Sequence, residues 1–145
     1  MGNGFVIVAD IQNEARNGLI YVGSWSSQRG ALELVDAMAS VQGDVRLTVL
    51  GRVGNDLLEV LKGREGWRRV DYRGWCDVEG VTEAMRGASI GIVNFLPAPN
   101  HVDSQPNKLF EYMGAGLAVV ASHFPLWKEI VEGNQCGVVV DPASP

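Results

Sequence analysis

Two side chains of opposite charge, Lys108 and Glu111, lie three residues apart in the stretch SQPNKLFEYMGAG. Pro106 is typical of the first turn of a helix, so the free N–H groups of Asn107, Lys108 and Leu109 would point at whatever lies before that helix. These amides, the helix dipole and the lysine would together attract a diphosphate. The Glu111 carboxylate could accept two hydrogen bonds from the neighbouring hydroxyls of a ribose. An ordinary surface ion pair, worth a few tenths of a kcal/mol, is the open alternative.

The other side chains that could take part in chemistry form no recognisable catalytic or metal-binding motif. His101 and Asp103 precede the charged stretch and could contact a sugar or simply be solvated in a loop. No nucleophile-elbow serine accompanies His101 or His123, which argues against a Ser-His-Asp hydrolase. No paired His, Asp or Glu spacing indicates a metal. Cys76 and Cys136 have no CxxC companion, so we interpret them as small apolar residues of a protein in a reducing cytoplasm.

Two glycine-containing turns follow strand-like runs in the first third of the chain. In YVGSWSSQRG, the strand ends in Gly23 and Arg29 marks a helix start, so backbone N–H groups and a cation could bind a phosphate. A plain turn with a solvated arginine fits equally well. In LGRVGN, Arg52 lies at the tip of the next strand, where Gly51 is explained by turn geometry alone.

A third turn, VDYRGWCD, places aromatic side chains around a glycine. Tyr72 and Trp75 flank Gly74, so a flat base or sugar could stack there while a backbone amide binds the base edge. Tyrosine and tryptophan are as often partly buried packing residues, and this alternative also stays open.

The length and composition are those of one soluble globular domain over residues 1–145. The chain has 46% hydrophobic and 20% charged residues and a formal net charge of −5, which argues against a general nucleic-acid surface. No apolar run approaches the roughly 20 residues of a membrane span, and the first residues do not read as a signal peptide.

Strand-like and helical patterns alternate through the chain. The strand-like runs are residues 5–9, 19–23, 45–51, 69–72, 90–95, 118–122 and 137–140, and the helical patterns are 30–41, 55–62, 78–86, 108–114 and 125–132. Most strand runs are continuous Val, Ile and Leu, as in strands buried on both faces of a parallel sheet. We therefore predict a Rossmann-like three-layer α/β sandwich with a parallel sheet. Its ligand would lie in the loops after the strands, residues 23–29, 51–55, 72–77, 95–107 and 122–125.

These segments together resemble the C-terminal, donor-binding domain of GT-B glycosyltransferases of the large family 4 type. The resemblance is carried by YVGSWSSQRGALELVDAM, VRLTVLG, VDYRGW, SIGIVNF, SQPNKLFEYMGAGLAVVASHFPLWKEIV and CGVVVDP, in the family's order. It covers nearly everything after residue 18. A nucleotide-sugar epimerase half would share the fold, but the NKLFEYMGAG run argues against it. A flavodoxin-like signalling domain is a further alternative, and no phosphoacceptor aspartate cluster supports it.

The resemblance implies roles for individual residues. Glu111 matches the acid that binds the ribose, and Asp103 stands eight residues earlier where the family usually has glutamate near the sugar. The family neutralises the leaving diphosphate with two basic residues, and the matching positions here are Ser24 and Arg29. Arg29, Lys108 and Asp103 are thus the expected catalytic set. The expected donor-binding set is Gly23, Ser24, Arg52, Gly74, Trp75, Asn107, Leu109 and Glu111.

The resemblance also implies an activity and its partners. The expected function is the donor half of a retaining, metal-independent glycosyltransferase that uses a nucleotide-diphospho-sugar, UDP-linked in the first instance, as co-substrate and no cofactor. The acceptor would be a cell-surface glycan or glycolipid, bound by an N-terminal domain that we expect in the parent protein. We expect that final helices also follow in the parent, and that it works in the cytoplasm or at the inner face of a membrane. A non-catalytic nucleotide-sugar-binding module is the alternative.

Overall fold

The structure, a computed structural model, describes residues 17–97, 107–133, 135 and 137–141. The strands of this part of the chain are β1 (Leu19–Val22), β2 (Leu47–Leu50), β3 (Val70–Gly74), β4 (Ile90–Val93), β5 (Ala118–Ser122) and β6 (Gly137–Val140). The helices are α1 (Ala31–Met38), α2 (Asn55–Lys62), α3 (Val78–Gly87), α4 (Asn107–Gly114) and α5 (Pro125–Gly133), with a 3₁₀ helix at Glu65–Arg69. The strand predicted at residues 5–9 lies outside the described residues.

The six strands form one sheet in the order β3-β2-β1-β4-β5-β6. Every neighbouring pair is parallel. The chain winds outward from β1 to β3, returns through α3 to β4, and then winds outward in the other direction. The predicted parallel α/β class is therefore confirmed, and the winding reverses between β1 and β4, where folds of this kind bind ligands.

Two apolar clusters cover the two faces of the sheet. The first contains Leu34 and Val35 of α1 together with Tyr21 and Leu47 of the sheet, with Trp67 of the 3₁₀ helix packed against it. The second is formed by α3, α4 and α5 against alternate residues of the same strands. Its members include Met85, Leu109, Tyr112, Trp127, Val131, Ile20, Val22 and Leu50. The helices thus lie in two layers around the sheet, as the sequence predicts for a three-layer sandwich.

Several element boundaries differ from the prediction for local reasons. Strand β1 ends at Val22 because Gly23 has a φ of 128°, which breaks the extended backbone. Strand β4 ends at Val93 because Asn94 turns to donate a side-chain hydrogen bond to the carbonyl oxygen of Gly30 at 3.0 Å. The 3₁₀ helix was not predicted. It packs closely on α1, since a Cβ on Gly66 would lie 1.7 Å from the carbonyl oxygen of Val35.

Candidate functional site

A crevice opens at the carboxyl ends of the two central strands. The β1–β4 ladder pairs only Leu19 with Ile90 and Ile20 with Gly91, while each other pair of neighbouring strands is registered over four residues. Beyond Ile20, the hydroxyl of Tyr112 accepts a hydrogen bond from the Val22 N–H and donates one to the Ile92 carbonyl, each at 3.1 Å. The tyrosine therefore separates the strands at the point where the winding reverses.

Tyr112 reaches this position because Gly91 beneath its ring has no side chain. A Cβ on Gly91 would lie 2.4 Å from the ring of Tyr112, so only glycine leaves room for the ring. The buried ring anchors α4 on the sheet. Since Lys108 and Glu111 lie on the same helix, this anchor fixes their position relative to the loop after β1. Tyr112 was not predicted as a site residue, because nothing local distinguishes it from other helix aromatics.

The first loop after the crevice is shaped by Gly23 and held by Tyr21. The Tyr21 hydroxyl donates a hydrogen bond to the carbonyl of Ser24 at 2.8 Å, and Ser24 itself is exposed. The α1 helix starts from Gly30, whose φ is 76°. A side chain at Gly30 would collide with Asn94, so the first loop is packed directly against the end of β4.

Arg29 lies inside this loop with its guanidinium facing aromatic groups. Its Cζ lies 4.6 Å from the ring centroid of Phe95, a distance at which a cation and a ring attract each other. Burial raises the pKa of Tyr21 to about 12, and the charge of Arg29 and its hydrogen bond to that hydroxyl act in the opposite direction. No carboxylate of the described residues lies within 4.0 Å of Arg29. Among these residues, the positive charge of Arg29 is thus not neutralised by an ion pair.

The second loop runs beside the first. A Cβ on Gly51 would lie 1.8 Å from the carbonyl oxygen of Gly23, so the two loops touch backbone to backbone. The Trp25 N–H donates to the Arg52 carbonyl at 2.9 Å. The side chain of Arg52 is exposed. The structure thus places the first two predicted ligand-binding loops side by side at one edge of the sheet.

The third loop continues the same edge. The carbonyl of Gly74 accepts a hydrogen bond from the Gly51 N–H at 2.7 Å, and its φ of 70° turns the chain outward. Trp75 is 66% exposed, so it is available to stack on a ligand and is not a packing residue. Asp77 then starts α3 by accepting a hydrogen bond from the Gly80 N–H at 2.8 Å, which is an N-cap.

The predicted pair on α4 forms an ion pair. The Nζ of Lys108 lies 2.8 Å from Oε2 of Glu111, and both side chains remain partly exposed, so the pair itself adds little stability. Asn107 is exposed at the first residue of the helix. The side chain of Leu109 is fully buried in the core, so only its backbone N–H could contact a ligand.

A cavity of about 730 Å³ lies between α3 and α4, a volume typical of small-molecule sites. Lys108 and Glu111 line one wall, and Cys76 and Val78 line the other beside the third loop. Cys76 was predicted to be a small apolar residue. It is half-buried, its thiol contacts the Gly74 carbonyl at 3.7 Å, and it lies in the wall of the cavity. The ion pair therefore faces a space that a small ligand can enter.

Some predicted residues lie outside the described residues, namely Asp103, His101, Pro106 and Cys136. Within the described ranges, no three His, Cys, Asp or Glu side chains cluster as metal ligands would. Over the same ranges, none of the helices is long and apolar enough to cross a membrane.

The sequence matches the family model described as glycosyl transferases group 1 over residues 16–145. The chain belongs to this family. No curated protein sequence matches the chain closely enough to count as a relative. Solved structures similar to this group 1 domain include glycosyltransferases with the GT-B fold, which agrees with the predicted family and fold.

Three of these structures show the extent of the likeness. WaaG, a glycosyltransferase involved in lipopolysaccharide biosynthesis, is 24% identical with a TM-score of 0.69, over 89% of this chain and 34% of WaaG. AviGT4, involved in avilamycin A biosynthesis, is 22% identical with a TM-score of 0.72, over 87% of this chain and 38% of its own. HepE from Anabaena, in complex with UDP and glucose, is 20% identical with a TM-score of 0.70, over 90% of this chain and 36% of HepE. The chain thus spans about a third of the length of these proteins.

Proposed function

We propose that this domain binds the nucleotide-sugar donor of a glycosyltransferase. The carrying observation is the cavity between α3 and α4, because the Lys108–Glu111 pair lines it next to the third loop. A ribose placed there would offer its two hydroxyls to the Glu111 carboxylate, while Trp75 and the amides near Gly74 are placed to meet the base. The diphosphate would then extend towards the first loop and the start of α4.

The electrostatics of the first loop favour a diphosphate. The Arg29 guanidinium has no carboxylate partner within 4.0 Å among the described residues, and the amides at the start of α4 carry the positive end of the helix dipole. Glycosyl transfer builds negative charge on the departing diphosphate, so fixed positive groups at this point would lower the barrier. Such groups can do the work of a divalent cation, and we propose that the reaction needs no metal.

The donor we propose is a UDP-sugar, and the product retains the anomeric configuration. HepE was crystallised with UDP, which favours uracil as the base. WaaG and WaaB act in lipopolysaccharide assembly, so we propose a cell-surface glycan or glycolipid as acceptor, elongated on the cytoplasmic side. The short span relative to these proteins fits an acceptor-binding N-terminal domain in the parent protein.

A non-catalytic donor-binding module is the second candidate. It is favoured by Ser24, an exposed uncharged residue at the position where the family resemblance predicts one of two cations. Both candidate functions predict binding of the nucleotide-sugar donor, but only the glycosyltransferase would turn it over. A module would bind UDP and a UDP-sugar but release no UDP from the sugar in the presence of any acceptor.

The function is tested first by isothermal titration of the chain with UDP, GDP, ADP and NAD. We expect one of the three diphosphates to bind at a single site, and NAD to bind more weakly. The parent protein, incubated with UDP-sugar and acceptor in EDTA, should then transfer the sugar with retention. Affinity for NAD above that for every nucleoside diphosphate would contradict the proposal, and loss of transfer in EDTA would contradict metal independence.

A further inference from the structure

Ser24 and Arg52 occupy matching positions just beyond two paired strands. The β1–β2 ladder ends with Val22 opposite Leu50, and Trp25 is paired with Val53 in an isolated parallel bridge. The offset between the partners is the same in both pairs, so the register does not slip between them. Ser24 and Arg52 therefore lie opposite each other, as neighbours on adjacent chains.

The hydrogen bonds between the two loops support this register. The Gly23 N–H donates to the Leu50 carbonyl and the Trp25 N–H donates to the Arg52 carbonyl, both at 2.9 Å. This alternation is the pattern of a parallel ladder. The ladder continues past the strands because Gly51 has no side chain to push the Gly23 backbone away.

The register places both residues on the face of the sheet that carries α4. Val22 and Leu50 belong to the apolar cluster formed with α3, α4 and α5, whereas Trp25 belongs to the cluster on the opposite face. Side chains alternate between faces along extended backbone. Ser24 and Arg52 come directly before Trp25 and Val53, which are paired with each other and pack on the opposite face of the sheet. Both positions are therefore on the side of the Lys108–Glu111 pair.

Arg52 forms no ion pair within the part of the chain that the structure describes. No carboxylate there lies within 4.0 Å of it, whereas Lys108 is paired with Glu111 and Arg73 with Asp71. Arg29 is held against Phe95 and Tyr21. An exposed guanidinium beside Ser24 thus provides a forked donor well suited to phosphate oxygens.

We propose that Arg52 binds the phosphate groups of the donor and supplies, from the neighbouring strand end, the positive charge that Ser24 does not provide. This inference rests on the proposed donor-binding function. The second loop would then contact the diphosphate directly. A site with serine at position 24 would still have two cations, Arg29 and Arg52, near the phosphates.

Moving the charge between the two positions tests the proposal. Affinities for UDP and for uridine are measured by isothermal titration on the wild-type chain, Arg52→Ser, and the double variant Ser24→Arg/Arg52→Ser. The matched control is Arg46→Ser, which removes the same charge just before β2, at the opposite end of that strand. Melting temperatures confirm that each variant is folded.

We expect Arg52→Ser to lose about tenfold or more in UDP affinity, as for a charged hydrogen-bond partner, with uridine affinity unchanged. The double variant should recover UDP affinity to within a few-fold of wild type, because the guanidinium returns on the adjacent chain. Arg46→Ser should bind as wild type does. A purely structural role for Arg52 would not be rescued from position 24.

Three results would overturn the proposal, and they can be told apart. If wild type binds UDP and Arg52→Ser binds it equally well, Arg52 has no phosphate role and the donor-binding function stands. If wild type binds none of UDP, GDP and ADP, the proposed function fails and this inference fails with it. Equal losses for UDP and uridine in Arg52→Ser also contradict a phosphate contact.

Discussion

The Tyr112 hydroxyl accepts a hydrogen bond at 3.1 Å from the backbone N–H of Val22, a residue 90 positions earlier in the chain. The same hydroxyl donates to the Ile92 carbonyl, so a single side chain links β1, β4 and α4. This linkage sits where the central strands part. It ties the helix that carries the Lys108–Glu111 pair to the strand that leads into the first loop.

Removing that hydroxyl should leave two backbone groups unpaired in a buried position. We expect Tyr112→Phe to lower the free energy of unfolding by about 1–3 kcal/mol, measured by urea denaturation. The control is Tyr72→Phe, since Tyr72 is only half-buried, and we expect a change below about 0.5 kcal/mol there. Equal stability of the two variants would show that the Tyr112 hydrogen bonds contribute nothing net.

The glycine beneath the Tyr112 ring gives a second stability prediction. Gly91→Ala adds a methyl group that would lie 2.4 Å from the ring, so we expect a loss of about 1–3 kcal/mol from overpacking. Gly87→Ala, where nothing lies within 4 Å of the added Cβ, serves as the matched control. If both variants unfold at the same urea concentration, the ring is not confined as described.

Glu111 should be required for nucleotide binding and not for folding. Its carboxylate is partly exposed and lines the cavity, so Glu111→Ala should weaken UDP binding by more than about tenfold with an unchanged melting temperature. Glu59→Ala is the control, because Glu59 forms an equivalent i,i+3 pair with Lys62 on α2. Equal UDP affinity in wild type and Glu111→Ala would remove Glu111 from the site.

Arg29 should contribute to binding of the phosphate groups of the ligand and not to binding of its base. We expect Arg29→Ala to reduce the affinity for UDP far more than that for uridine, because its guanidinium would face the phosphates. The comparison of the two ligands within one variant corrects for any loosening of the loop that follows loss of the Phe95 contact. A uniform loss for both ligands would argue against a phosphate role.

The buried tyrosines predict an alkaline loss of stability. Burial raises the pKa of Tyr21 to about 12 and also raises the pKa of Tyr112, whereas an unfolded tyrosine titrates near pH 10. The folded state thus favours the neutral phenols, so stability is intact below about pH 10 and falls as the pH rises towards 12, by at most about 1.4 kcal/mol per pH unit for each tyrosine. Urea denaturation from pH 8 to 11.5 measures this.

The Tyr112→Phe variant provides the control for the alkaline prediction. With one of the two buried phenols removed, its stability should fall less steeply with pH than that of wild type. Parallel slopes in the two proteins would show that the Tyr112 phenol does not contribute to the alkaline loss.

The order of strands and helices could be read from the sequence because it depends on local patterns. Continuous apolar runs such as that of β4 indicated buried parallel strands, and the Pro and Gly positions set the limits of helices. The 3₁₀ helix could not be predicted from the sequence, because glycine is required at position 66 by a contact with Val35, thirty-one residues away. Its sequence, EGWRR, has no periodic apolar pattern.

The loops of the candidate site could be predicted from the sequence, but the residues that hold these loops in position could not. Gly23, Arg29, Gly74 and Glu111 were singled out because glycine turns and charged helix starts are local signals. Tyr112 and Asn94 were not singled out, because their hydrogen bonds join distant segments of the chain. Cys76 packs against the apolar core, as predicted, and also lines the cavity. The opposition of Ser24 and Arg52 likewise requires the strand register, which no single stretch of sequence specifies.

The most direct test of the donor-binding account is an NMR titration of the isotope-labelled chain with UDP, GDP, ADP and NAD. The account predicts that a nucleoside diphosphate shifts amide signals of residues 23–29, 51–55, 72–77 and 107–116, and that signals around Arg46 and Arg68 at the opposite edge stay in place. Absence of shifts with every nucleotide, or shifts confined to that opposite edge, would contradict it.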